Sequence, residues 1–218
     1  MTYATFNFEA DSAKKADSEG SRINRTDKYQ GVLKKAEFVT SSKGTQGIEF
    51  EFVSDDKEET NFTIWTFKAD GESLFGKDKI NAILACLKTR TMTPTEKMIE
   101  KYDFDLGQKV DKLCTVAPEL ENKRIGLLLQ AEEYLNGNGQ VKVRMNFVAS
   151  FEDFSGFMAK EILEKKTKAE ALPKAYERLM KQGDKKLQGE TGHSNSSAGY
   201  IHAQNTNKNN DLDDDLPF

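Results

Sequence analysis

From Tyr29 onward the chain begins to alternate apolar and polar residues. The stretch YQGVLKKAEFVTSSKGTQGIEFEFVS predicts two strands joined by a Ser/Lys/Gly turn, with Ile48, Phe50 and Phe52 on one face and Glu49 and Glu51 on the other. TNFTIWTFKAD adds a third strand, rich in β-branched and aromatic residues and closed by the Asp70-Gly71 turn. The period then changes. Ile80, Ile83, Leu84 and Leu87 fall at helical spacing, and Thr93-Pro94 stops or redirects the chain. PTEKMIEKY predicts a short helix, with irregular structure after it to residue 120. KRIGLLLQAEEYL and GQVKVRMNFVASFE flank an NGNG turn and predict a hairpin. In its second strand Val141, Val143, Met145 and Phe147 share one face, while Lys142, Arg144 and Asn146 share the other.

Three strands, a helix and two strands is the element order of an OB-fold, so the predicted class is mainly β: an OB-fold-like five-stranded barrel over residues 28–155, with a helix between strands 3 and 4. A different small barrel or an α+β sheet is the competing arrangement. Residues 1–27 are polar and mixed and predict a flexible N-terminal arm, although Tyr3, Phe6 and Phe8 are placed as in an edge strand. MAKEILEKKTKAEALPKAYERLMKQ supplies a C-terminal helical segment over 156–186, interrupted at Pro173. The Gly/Ser/Asn-rich stretch 187–210 has no apolar period and predicts a flexible linker, leading to a disordered acidic tail whose tip is 211–218.

Composition supports a domain with unpacked appendages: 218 residues, 37% hydrophobic, with a mean hydropathy of −0.69. The N-terminus has no apolar h-region after a basic start, and no stretch approaches the ~18 apolar residues of a membrane span, so a cytoplasmic protein is expected. Cys86 and Cys114 lack CxxC spacing, and His193 and His202 lie in the predicted linker, so no zinc site is expected and the cysteines read as buried thiols. The net charge of −4 argues against a polyanionic partner only as an average. Between Met158 and Lys186 nine basic residues face five acidic ones, whereas Asn205 to Phe218 holds one Lys and four Asp. The charge is segregated along the chain.

Catalysis finds little support. There is no phosphate-binding GxxxxGK[ST] loop, no GxSxG elbow and no HExxH, so the chain is expected not to be an enzyme and to need no cofactor. A metal-dependent nuclease would rest on carboxylates alone, yet SDDKEET and KYDFD read more naturally as solvated turns. Binding has more support. Phe62, Ile64 and Thr66 fill one face of the third strand, which puts Trp65 and Phe67 on the other. Such rings either stack on bases, at ~1–3 kcal/mol each and without regard to sequence, or pack beneath the helix. Lys34, Lys35, Lys43, Lys68, Lys142 and Arg144 are the candidate phosphate contacts, and Arg22, Arg25 and Tyr29 could extend the groove. Each lysine alone reads as a solubilising edge charge; the case rests on bases and rings sharing outward strand faces.

The chain ends NNDLDDDLPF. Asp213, Asp214, Asp215, Pro217 and Phe218 match the usual Asp-Asp-Asp-Ile-Pro-Phe ending of bacterial single-stranded DNA-binding proteins, with Leu216 in place of isoleucine. The resemblance covers the tip alone. With a divergent barrel ahead of it, the whole is similar to a bacteriophage single-stranded DNA-binding protein. That resemblance implies sequence-independent binding of single-stranded DNA in replication, recombination and repair, in the host cytoplasm, with the tip recruiting partner proteins. Phe218 and its carboxylate would anchor in a pocket with a basic rim, and Pro217 would lower the ordering cost. A strand-annealing or recombination-mediator protein is the alternative. The bacterial homotetramer is not implied by a tip alone.

Overall fold

Strand β1 (Asp27–Thr40) pairs antiparallel with two neighbours over several residues each, and with a third at the single pair Glu37–Val116. Its residues 31–40 bond to β2 (Gln46–Ser54), and residues 27–33 bond to β6 (Lys123–Leu135). Period 2 buries Tyr29 and Leu33, and a bulge between Leu33 and Lys35 ejects Lys34 and returns Ala36 to the core. The computed structural model describes residues 22–103 and 106–187. Most of the expected N-terminal arm, nearly all of the 187–210 linker and the 211–218 tip lie outside the described residues.

β3 (Glu59–Phe67) pairs with β2 and completes the predicted meander. Ile48, Phe50 and Phe52 meet Phe62 and Ile64 inside, and Phe50 stacks on Phe62 with ring centroids 5.2 Å apart. Helix α1 (Gly76–Cys86) follows, burying Ile80, Ile83 and Cys86. It starts against β3, where a Cβ on Gly76 would lie 1.8 Å from the Trp65 carbonyl oxygen, so no larger residue fits. Leu84 and Leu87 pack against the same core, as their spacing predicts.

The next segment departs from expectation. Residues 95–120 hold no α-helix; they form β4 (Thr95–Asp103) and β5 (Gln108–Val116), an antiparallel hairpin, before a short 3₁₀ turn at Pro118–Leu120. EKMIEK alternates between its two faces, and the neighbouring strand satisfies its backbone along the full register, which outweighs its helix propensity. The sheet therefore has seven strands rather than five, with the path β3-β2-β1-β5-β4, while β6 pairs with β1 and with β7 (Val141–Phe151). The architecture is a mainly β antiparallel sheet with a helix after β3 and helices at the C-terminal end.

Two further boundaries shift. Ile23 is buried and donates its N–H to the Glu59 carbonyl at 3.0 Å, so the end of the expected arm is part of the core. The C-terminal helical segment does not break at Pro173. It breaks between α2 (Ala159–Leu163) and α3 (Ala171–Gln182), and Pro173 sits in the first turn of α3, where its missing N–H costs no intrahelical bond. Helix α3 lays Leu179 against Leu128 and Phe151, forming a second small core outside the first. Among the described residues no helix is long and apolar enough to cross a membrane.

Candidate nucleic-acid interface

The face of β1, β2 and β3 that points away from the core is built in cross-strand rows. Trp65 lies opposite Gly47, and Gly47 opposite Val39; Thr63, Glu49 and Glu37 form the next row, and Asn61, Glu51 and Lys35 the third. A Cβ on Gly47 would come within 2.7 Å of Trp65 Cε3, so the indole lies over a position with no side chain, and the residue is half-buried. Its face is opposite to that of Phe62 and Ile64, and Trp65 is not one of the buried core residues. Phe67 follows on the same side, half-buried, with Lys77 Nζ of α1 5.6 Å from its ring centroid.

The β4–β5 hairpin continues this face. Lys101 Nζ reaches Glu37 Oε1 at 2.6 Å, Lys35 Nζ lies 3.2 Å from Glu37 Oε2 and 3.9 Å from Glu51, and Lys97 Nζ bonds Glu121 at 2.9 Å. Glu37 is buried, which by itself would raise its pKa; the hydrogen bond and charge of Lys101, together with Lys35, outweigh burial and hold its carboxyl below the usual range. The side of the hairpin that carries Lys97, Ile99, Lys101, Val110 and Lys112 thus joins the Trp65 face through one carboxylate. Glu96, Met98, Glu100 and Asp111 point the opposite way, and Met98 and Leu113 are well exposed there. Sequence reasoning missed these lysines because it read the segment as a helix. The two-residue alternation of Lys97, Ile99 and Lys101 with Glu96, Met98 and Glu100 was the available signal.

The predicted site residues divide into three groups. Trp65 and Phe67 sit together on outer β3, and Lys35 lies two strands away on the same face. Lys34 projects at the bulge, Lys43 lies in the β1–β2 turn, and Lys68 at the end of β3 is exposed and pairs with Glu72 at 2.7 Å. Lys142 and Arg144 are elsewhere. They lie on β7, at the far end of the strand path β3-β2-β1-β6-β7, where Arg144 Nε bonds Glu132 at 3.1 Å and its guanidinium lies 5.5 Å from the Tyr134 ring. Arg25 lies 3.5 Å from Glu58, and Arg22 bridges to Glu59.

Tyr29 does not join the face. It is 6% exposed, donates its hydroxyl to the Arg25 carbonyl at 2.8 Å, and burial pushes its pKa up to about 12. Two-residue alternation places it on the same side as Leu33, so the ring is core rather than platform. Cys86 and Cys114 are both buried free thiols. Burial pushes the Cys86 thiol up, so it stays protonated and inert.

Where β1, β2 and β3 meet the start of α1, a cavity of about 510 Å³ opens at the edge of the core, lined by core-side Phe38 and Ile48, by Lys77 and Asn81, and by Gly47 and Phe67, which it shares with the Trp65 face, while Trp65 itself does not line it. Chemically, the face offers a flat indole, a phenyl ring with a cation over it, and carboxylates already neutralised by lysines. No protein-family model matches this chain, and no curated protein matches it.

Proposed function

We propose that the chain binds single-stranded DNA without sequence preference, by stacking bases on the outer face of an OB-fold-like barrel. The observation that carries this reading is the Trp65 indole lying over Gly47 and beside Phe67, on the face turned away from the core. A large aromatic presented this way adds nothing to the interior and offers every base a π-surface. The barrel itself is supported by the approach of the outermost strands: Phe62 of β3 stacks on Phe147 of β7 at 5.8 Å, and Lys79 of α1 donates to the Phe147 carbonyl at 2.8 Å.

Lysines and glutamates on this face largely neutralise one another, so stacking outweighs phosphate attraction in the binding energy. Lys34 and Lys43 follow the backbone at the rim. The protein acts in the cytoplasm without catalysis or cofactor, holding strands open during replication, recombination and repair. Asp213, Asp214, Asp215, Leu216, Pro217 and Phe218 recruit partner proteins, a role that rests on the sequence motif.

Fluorescence titration with oligo-dT at several salt concentrations tests the reading, since Trp65 is the single tryptophan. Quenching on binding, with a shallow negative log–log salt slope, is the expected result. Absence of binding at low salt would overturn it. Deleting Phe218 should leave the titration unchanged and abolish capture of replication proteins.

A further inference from the structure

The cavity that shares Gly47 and Phe67 with the Trp65 face gives the bound strand a specific path. Trp65 and Phe67 are two residues apart on one strand, so their rings are spaced by roughly 6.6 Å along β3, about twice the 3.4 Å base step of stacked DNA. Neighbouring bases cannot stay stacked on each other while each covers one ring. The strand must splay at this point, and a splayed base needs somewhere to go.

The cavity provides that place. Its volume of about 510 Å³ falls within the ~300–1,000 Å³ usual for small-ligand sites. Gly47 belongs both to its lining and to the floor beneath the indole, so cavity and stacking platform are contiguous. The Phe67 ring forms one wall and Lys77 Nζ stands over it, with no carboxylate partner for Lys77 among the described residues. Asn81 donates its amide to the Lys77 carbonyl at 3.0 Å, keeping its side-chain oxygen as an acceptor at the rim.

We propose that this cavity receives one unstacked base of the bound strand, laid against Phe67, with Lys77 meeting the phosphate of that nucleotide. The inference rests on the reading of the Trp65 face as a single-stranded DNA platform. It makes the site a stack followed by a pocket rather than a flat surface.

Isotope-labelled full chain titrated with deoxythymidine 5′-monophosphate and then with oligo-dT tests it. The mononucleotide should shift backbone amides of Phe67, Ile80 and Met92, and Phe67→Leu should abolish those shifts while leaving the spectrum folded. With oligo-dT, Lys77→Ala should weaken binding about tenfold and make the salt slope shallower by about one, since Lys77 is exposed and carries one phosphate contact. If oligo-dT quenches Trp65 normally but the mononucleotide shifts only the indole, or Lys77→Ala binds as the parent does, the pocket is wrong and the platform stands. If the parent fails to bind oligo-dT, both fall together.

Discussion

The outer faces of β6 and β2 have opposite fates. On β6 every residue from Ile125 to Ala131 is buried, because Leu127, Leu129 and Ala131 fill the interior while Leu128 meets Leu179 of α3 and Phe151 of β7 outside. On β2 burial alternates, with Ile48, Phe50 and Phe52 inside and Glu49 and Glu51 half-exposed. The C-terminal helix covers one flank of the sheet, whereas on the Trp65 flank Thr63, Trp65, Glu49 and Glu51 stay partly exposed and Glu37 alone among the charged residues is buried, beneath Lys101 of the hairpin. A strand that reads as an unbroken apolar run is covered on both sides; one that alternates leaves a face for a ligand.

The largest effect expected from this contrast is on stability. Leu128→Ala should cost about 2–5 kcal/mol in urea unfolding, as truncation of a fully buried leucine does, while the folded variant keeps its affinity for oligo-dT. A loss of affinity at unchanged stability would break the division between covered and open flanks. Trp65→Ala should do the reverse, removing ~1–3 kcal/mol of oligo-dT binding with little change in the unfolding midpoint.

A smaller effect concerns how the β4–β5 hairpin joins the open flank. The Glu37 carboxyl is held below its ordinary value of 4.5 by Lys101 and Lys35 against the opposing effect of burial. A depressed carboxylate contributes stability above its unfolded-state pKa and loses it as pH falls through the folded value. Hydrogen exchange of the β4–β5 amides should therefore accelerate relative to β6 as pH falls below 4.5, after correction for intrinsic rates. In Glu37→Gln they should exchange faster already at pH 7, with the acid step gone. The smallest effect is expected at Lys142→Ala, at a residue that pairs with Tyr134 outside the rows that hold Trp65, Glu49 and Lys35: oligo-dT affinity should stay within about threefold and the salt slope should change by less than about one. A full unit lost there would mean that DNA wraps past the covered flank.

Much of this was legible in the residues. The alternation at 48–52 and 62–66 located the core of the meander, and the spacing of Ile80, Ile83, Leu84 and Leu87 located its helix. The two-sided aromatics of β3 pointed to the open face. What the residues did not disclose depended on tertiary partners. EKMIEK satisfies both a helical and a strand template in isolation, and pairing with 108–116 decides between them. Pro173 looked like a break because a proline interior to a helix is costly, whereas its place in a first turn depends on where α3 begins. Tyr29 is amphipathic, so only its phase relative to Leu33 tells core from groove. The pocket joins β1, β2, β3, β5, α1 and the segment at 92–94, a convergence no local pattern records.

The double pairing of β1 also bears on how the chain reaches this state. Residues 31–40 find β2 a few positions downstream, but Asp27 must wait for Leu129. Sequence-distant pairings slow folding, because a long loop has to close before they form. A chain emerging from the ribosome therefore holds the first half of β1 as an open edge until β6 has been made. Exposed edges invite pairing with other nascent chains; Lys28 lies along that waiting stretch and Lys34 flanks it at the bulge, both exposed in the finished fold. Their value is greatest before the fold is complete: replacing both with valine should lower the yield of refolding at high protein concentration more than it lowers the stability of the product.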